Sequence, residues 1–133
     1  MSHNHTSSDI AIRFTVSYRG YNTTAVLAKS SMALKLVKLL YQQGLISNFN
    51  CVNNNIIVQL KYHNGRPLWK SIKVVSRPGH REYWTLRKLR LHYSSKNFGG
   101  VYIISTPRGL YTSTECLLSI HTVGEILFKI QLS

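Results

Sequence analysis

The chain has 133 residues, 44% of them apolar, which allows one ordinary domain or two small ones around a packed core and is too apolar for disorder to be the main state. Seventeen Lys and Arg against four Asp and Glu leave a net charge of +13, so nucleic acid is the default partner of a molecule that otherwise repels itself. Anionic membrane is the competing polyanion, but no apolar run reaches the roughly 20 residues a membrane helix needs, and only a basic interfacial helix stays open on that side.

Residues 1–8 read as a disordered lead. Met1-Ser2-His3-Asn4-His5 has neither the apolar core of a secretory signal nor an Arg-rich amphipathic run, and His3-x-His5 reads as a solvated tail rather than a metal site. From Asp9 two periods compete. Ile10, Ile12, Phe14, Val16 and Tyr18 alternate with polar residues as in a strand, while Ile10, Phe14 and Tyr18 also recur every four residues behind a capping Asp9. Pattern alone favours the strand by a narrow margin. Thr23–Ala28 is a short strand. Ser30 or Ser31 then caps a helix whose apolar stripe is Ala33, Leu36, Val37 and Leu40, with Lys35, Lys38 and Gln42 on the wet face and Gly44 as the stop. Lys35 and Lys38 suit a solvated face and a phosphate contact equally well. Leu45–Val52 reads as an edge strand and Asn53-Asn54-Asn55 as a turn. Ile56–Tyr62 alternates, and Asn64-Gly65 reverses the chain into Leu68–Val75, a hairpin signal.

Ser76-Arg77-Pro78-Gly79 breaks this pattern and marks a domain boundary, with an N-terminal α/β domain over residues 9–75 and a C-terminal domain over 76–133. The second half opens with a basic-aromatic stretch, His80–Tyr93, and a loop at Ser94–Gly100. A hydrophobic strand from Gly100 runs into the hydroxyl-rich turn Ser105-Thr106-Pro107-Arg108-Gly109 and returns at Leu110–Thr112. Thr112-x-x-Glu115 is a capping box that starts a short helix through Ile120, and Val123-Gly124-Glu125 leads into a final strand, Ile126–Leu132. The fold class is therefore α+β: N-terminal helices on a short antiparallel sheet, then a mostly β half with one short helix. Positive charge is spread over both halves, +8 up to residue 75 and +5 beyond, with Tyr83, Trp84 and Tyr93 among the cations, which favours an extended nucleic-acid footprint over a basic tail. Cys51 and Cys116 lack the spacing of a zinc or disulfide site and read as small buried hydrophobes.

Three segments resemble one family. Val74-Val75-Ser76-Arg77-Pro78-Gly79-His80-Arg81-Glu82-Tyr83 resembles its V-S-[KR]-P-G-x-R-x-Y hinge. Gly99-Gly100-Val101-Tyr102-Ile103-Ile104-Ser105-Thr106-Pro107-Arg108-Gly109 resembles its L-G-(apolar)-S-T-S-K-G signature, and Val123-Gly124-Glu125-Ile126-Leu127 its terminal G-G-E-[IV]-[IL] segment. Ser30-Ser31-x-x-Leu34-Lys35, Gly44-Leu45-Ile46-x-x-Phe49 and Leu60-Lys61-Tyr62 sit where the family has S-S-K-L-K, G-F-I-x-x-F and L-K-Y. The family is the small-subunit ribosomal protein S-eight, in its bacterial or organellar form.

The resemblance implies two small α/β domains that both touch rRNA. It implies a primary binder of the central domain of small-subunit rRNA that aids its assembly, with the small-subunit protein S-five as a neighbour and with no catalysis, cofactor or metal. It makes the first segment helical, which overrides the strand reading of residues 9–19. Ser105, Thr106, Arg108 and Gly109 would meet the minor groove of an irregular stem, where short hydroxyl side chains reach 2′-hydroxyls and base edges. Pro107 replaces the family's serine and removes one hydroxyl and one N–H; turn capping is the other use of Ser105 and Thr106. Glu125 would accept from base amines or orient Arg108, or be a paired surface carboxylate. Lys73, Arg77 and Arg81 would hold phosphates, Tyr83 would stack on a base or sit in the core, and Ser30, Ser31 and Lys35 would add a contact from the first domain.

Where the family's later helix reads T-D-R-E-A-R, this chain has Thr112-Ser113-Thr114-Glu115-Cys116-Leu117 and lacks both arginines. Asn-, Tyr- and Ile-rich drift resembles an organellar protein translated from an A+T-rich genome. With no import peptide in view, synthesis inside a mitochondrion is the expectation, and a plastid or a bacterial cytoplasm the alternative. Two rival readings stay open: an RNA chaperone or splicing cofactor on the same fold, and a nuclease using His80, His92 or His121. The nuclease would need clustered carboxylates, whereas Asp9, Glu82, Glu115 and Glu125 are scattered along the chain.

Overall fold

The computed structural model describes residues 3–93 and 100–132; apart from Gly100, the loop expected at Ser94–Gly100 lies outside them. The fold is α+β. Two compact units divide the chain, one of residues up to Ile72 and one of Lys73–Leu132. The division falls ahead of the break expected at Ser76, because Val75 is already tied to the second unit by its N–H, which donates to the Leu127 carbonyl at 2.9 Å.

The first unit opens with helix α1 (His3–Arg19). Ile10, Phe14 and Tyr18 are buried, whereas Ile12 and Val16 stand 62% and 60% exposed. The four-residue recurrence therefore wins over the alternation, since three large side chains on one helical stripe reach the core and the other two members of the strand pattern do not. This is the helix implied by the family resemblance. The disordered lead over residues 1–8 is corrected: α1 begins at His3, and Ser7 is buried with its hydroxyl 3.2 Å from Met32 Sδ, so packing extends one turn ahead of Ile10.

Strand β1 (Thr24–Ala28), helix α2 (Ser31–Gln42), β2 (Ile46–Val52) and β3 (Asn55–Leu60) follow, and the three strands form an antiparallel sheet in the order β1-β3-β2. Ser30 caps α2, its hydroxyl accepting the Ala33 N–H at 3.1 Å, and Ala33, Leu36, Val37 and Leu40 are fully buried as the stripe requires. Cys51 lies on β2, the edge strand, and is exposed; the expectation that it is buried is corrected. Asn64 and Gly65, both with positive φ, turn a hairpin of β4 (Tyr62–His63) and β5 (Arg66–Pro67). This hairpin is shorter than the expected one; beyond Pro67 it continues only through the Leu68 N–H, which donates to the Lys61 carbonyl at 3.2 Å. Strand β6 (Trp69–Val74) leads the chain onward. Trp69 is fully buried, packs its ring against Phe14 and Tyr18, and donates its indole N–H to the Leu45 carbonyl at 3.0 Å.

In the second unit β7 (Gly100–Thr106) runs between β8 (Gly109–Thr112) and β9 (Glu125–Leu132), antiparallel to both. Leu89, Tyr102, Ile104, Cys116 and Ile126 form its core, flanked by Val75, Trp84, Tyr111, Leu117, Ile120 and Val123. The capping box is present: Thr112 Oγ1 accepts the Glu115 N–H, and the Glu115 carboxylate accepts the Thr112 N–H at 3.1 Å. It starts one α-turn, α4 (Ser113–Glu115), that widens to a π-turn over Cys116–Ile120. Burial pushes the Cys116 thiol up to about 11, so it acts as the small hydrophobe expected. One element is new. The basic-aromatic stretch holds helix α3 (Leu86–Tyr93), capped by Thr85, whose hydroxyl accepts the Lys88 N–H at 3.2 Å, and anchored by the buried Leu89.

If Ser30 is a helix cap, Ser30→Ala should lower the unfolding free energy by about 1 kcal/mol. Denaturant titration checks this, and an unchanged midpoint would return Ser30 to a purely external role.

Candidate nucleic-acid interface

Across the β7–β8 hairpin Thr106 pairs with Gly109, leaving Pro107 and Arg108 as a two-residue loop. The loops that match strand twist need positive φ within them. Proline cannot adopt it, Arg108 does not, and Gly109 restores the strand one residue later with φ +131. Thr106 Oγ1 donates to the Gly109 carbonyl at 2.9 Å and accepts the Arg108 N–H at 3.2 Å. Thr106 is buried, so the turn consumes its hydroxyl. Ser105 is half-buried, and its side chain makes no hydrogen bond among the described residues, whereas Pro107, Arg108 and Gly109 are exposed. Of the two hydroxyls expected at RNA, one braces the loop and the other is unengaged.

Gly124 brings the last strand against this turn. A Cβ there would fall on the Ser105 carbonyl oxygen, so only glycine allows the approach. Glu125 pairs with Ser105 in the β7–β9 register and with Tyr83 in an isolated bridge. Its Oε2 accepts the Ser76 hydroxyl at 2.6 Å and Arg81 Nη1 at 3.2 Å. Ser76 Oγ in turn accepts the Glu82 N–H at 3.0 Å, the Ile126 N–H donates to the Glu82 carbonyl at 2.8 Å, and the Trp84 N–H donates to the Gly124 carbonyl at 3.2 Å. The hinge is thereby laced along the start of β9. Among the described residues Glu125 makes no bond to Arg108, because the bridge at Tyr83 puts Ser76 and Arg81 within its reach.

The other expected residues are placed as follows. Arg77 exchanges both backbone hydrogen bonds with His80, at 3.1 and 3.0 Å, which closes a tight reversal over Pro78 and Gly79 and leaves the Arg77 side chain exposed. Lys73 is exposed. Tyr83 is 69% exposed, so it is not a core tyrosine. Beside it Trp84 is the anchored aromatic: it stacks on His92 at 4.3 Å, meets Tyr102 edge-on at 4.9 Å and carries Lys88 Nζ at 5.1 Å from its ring. Ser30, Ser31 and Lys35 belong to the first unit, where Ser30 is occupied as the α2 cap and Ser31 and Lys35 are exposed on its first turns.

Ser76, Glu82 and Gly124 had not been singled out from the sequence, although all three stand inside the quoted hinge and terminal segments. The Trp84 indole N–H, 3.2 Å from Glu82 Oε2, holds that carboxyl below the ordinary carboxylate range; His80, 3.0 Å from Oε1, adds to the effect and burial opposes it. Among the described residues no three His, Cys, Asp or Glu side chains come together as a metal site.

The model of the family described as Ribosomal protein S8 matches residues 6–130. The chain is 32% identical over 116 residues to the small ribosomal subunit protein uS8m of Acanthamoeba castellanii, covering 86% of this chain and 90% of that protein. It is 32% identical over 106 residues to uS8 of Rhodospirillum centenum, 76% of this chain and 77% of the relative. With uS8 of Neisseria meningitidis serogroup C it shares 32% over 111 residues, 81% and 83% of the two chains.

Ser76→Ala removes a buried donor from a carboxylate and an acceptor from the Glu82 N–H, and should cost about 2 kcal/mol in unfolding free energy; no loss would mean that the hinge is held by other bonds. Glu82 gives a pH dependence of known sign. Its folded pKa lies below its unfolded value, so its stabilisation is complete above the unfolded value and disappears as pH falls through the lowered one. Denaturation midpoints should therefore drop on acidification below about pH 4, and Glu82→Gln should make that drop shallower.

Proposed function

Because the chain belongs to the ribosomal protein S8 family, we propose that it is a structural constituent of the small ribosomal subunit and a primary binder of the central domain of small-subunit rRNA that aids its assembly. The observation that carries this reading is the convergence of three sequence segments at one end of the second unit. The hinge, the Ser105–Gly109 turn and the Gly124-Glu125 step are joined there by the Ser76–Glu125–Arg81 bonds and by the close approach of Gly124 to Ser105. Residues 76–133 act in this reading as the rRNA-binding domain.

Each group has a role that its surroundings allow. Ser105 offers the unengaged hydroxyl to a 2′-hydroxyl or base edge in the shallow minor groove, and exposed Gly109 lets the backbone come close. Thr106 and Pro107 keep the loop in one shape, so little ordering entropy is lost on docking. Arg108, Arg77 and Lys73 face phosphates as exposed cations, while Arg81 divides its guanidinium between Glu125 and RNA. Glu125 Oε1, which carries no hydrogen bond among the described residues, accepts from a base amine. Tyr83 offers an exposed ring for stacking, and Ser31 and Lys35 supply a contact from the first unit. The role is structural, with no catalytic step. A mitochondrial ribosome is the location supported by the Acanthamoeba relative and by the composition; S-five is the protein neighbour proposed.

Binding to a transcript of the central domain should weaken steeply with salt, because neutralising roughly 5 to 8 phosphates makes log affinity fall by several units per decade. A flat response would reject the interface. Ser105→Ala should cost about 1 kcal/mol of affinity at unchanged stability, whereas Thr106→Ala should also lower stability. Recovery of the native protein with small subunits in a sucrose gradient is the wider check; recovery only in free or intron-bound fractions would replace the ribosomal reading with the chaperone or splicing one.

A further inference from the structure

Helices α1 and α2 end in the same motif with different residues at the position that needs a left-handed backbone. After α2, Gly44 has φ +74; its N–H donates to the Tyr41 carbonyl at 3.1 Å and the Leu45 N–H to the Leu40 carbonyl at 2.9 Å. After α1, Tyr21 has φ +53; its N–H donates to the Tyr18 carbonyl at 3.1 Å and the Asn22 N–H to the Ser17 carbonyl at 3.0 Å. Glycine is the usual occupant because it has no Cβ to clash. Here Gly20 sits one residue too early, and a large aromatic takes the strained place.

The ring of Tyr21 has an aromatic neighbour. It stacks on Tyr62 with centroids 6.3 Å apart and planes 20° apart, and Tyr62 is fixed by its hydroxyl, which donates to the Asn22 carbonyl at 2.6 Å. Tyr62 meets Tyr18 at 5.7 Å, and Tyr18 meets the fully buried Trp69 at 4.8 Å. A series of four rings thus runs from the core outwards, and its outer member is 65% exposed. Tyr62 is the aromatic neighbour of Tyr21, which is otherwise open enough to stand 65% exposed. Exposed Arg19 stands two residues before Tyr21, and exposed His63 follows Tyr62. Up to residue 75 the chain has nine Lys and Arg and a single carboxylate, Asp9, which is bound to Arg13 at 3.0 Å.

We propose that Tyr21 is a stacking platform for an unpaired nucleobase of RNA, a contact of the first unit additional to the Ser105–Gly109 turn. It rests on the rRNA reading above. A fixed, open aromatic face in a cationic setting is what an unpaired base recognises, whatever its sequence. Backbone strain at an exposed residue marks a position where local stability has been exchanged for that face.

The full chain and its Tyr21→Gly, Tyr21→Asn and Tyr21→Phe variants would be titrated with a transcript of the central domain of small-subunit rRNA. Glycine and asparagine tolerate the left-handed backbone, so those two variants should melt at or above the wild-type temperature. They should bind about 5- to 150-fold more weakly, with an unchanged salt slope because no phosphate contact is lost. Tyr21→Phe keeps the ring and should bind as the wild type does. A transcript carrying 5-iodouridine should cross-link through Tyr21. Wild-type affinity in Tyr21→Gly and Tyr21→Asn would overturn the platform and leave the rRNA reading standing, and so would a melting temperature that falls with affinity or an equal loss in Tyr21→Phe. Failure of the wild-type chain to bind the transcript would remove the rRNA reading first and the platform with it.

Discussion

Glu125 Oε2 takes hydrogen bonds from Ser76 at 2.6 Å and Arg81 at 3.2 Å, and the residue carrying it is pinned to β7 because Gly124 admits no side chain beside Ser105. Those contacts tie the hinge, the β7–β8 turn and the last strand to one another. As a source of stability the ion pair is modest: Arg81 and Glu125 are 38% and 19% exposed, and such pairs contribute about 1 kcal/mol or less. Its larger consequence is geometric. With the hinge laced to β9, Tyr83 is set outward while Trp84 is drawn to the core, although the two are adjacent.

The same economy applies to every carboxylate in the chain. Asp9 holds Arg13, Glu82 holds Trp84 and His80, Glu115 closes the Thr112 cap and Glu125 holds the hinge. Each of the four acids in the sequence thus makes a local structural bond. The cations Lys73, Arg77 and Arg108 remain exposed. Pairing each acid with a donor on its own chain offsets part of the repulsion it would otherwise offer to a polyanion.

The turn is ordered from within. Pro107 supplies neither hydroxyl nor N–H, but it fixes one φ, while Thr106 closes the loop with two hydrogen bonds and Gly109 absorbs the residual twist. At the end of α1 the exchange runs the other way, since Tyr21 occupies a place where glycine would relax the backbone.

Much of this was legible in the chain. The stripe and cap of α2, the Asn64-Gly65 reversal and the Thr112–Glu115 capping box depend on neighbours within four residues, and such contacts are present in the sequence itself. Helix α3 was hidden because its cationic residues outnumber the one leucine, Leu89, that reaches the core. The first segment was ambiguous for a definite reason: Ile10, Phe14 and Tyr18 satisfy a period of two and a period of four alike. Only burial, which left Ile12 and Val16 in water, separated the two readings. The sequence by itself determined the charge, the family signatures and most of the elements. Tertiary structure alone decided which Glu125 partner was in reach and which of two adjacent aromatics stayed outside, because both depend on the register and close approach of segments 20 or more residues apart.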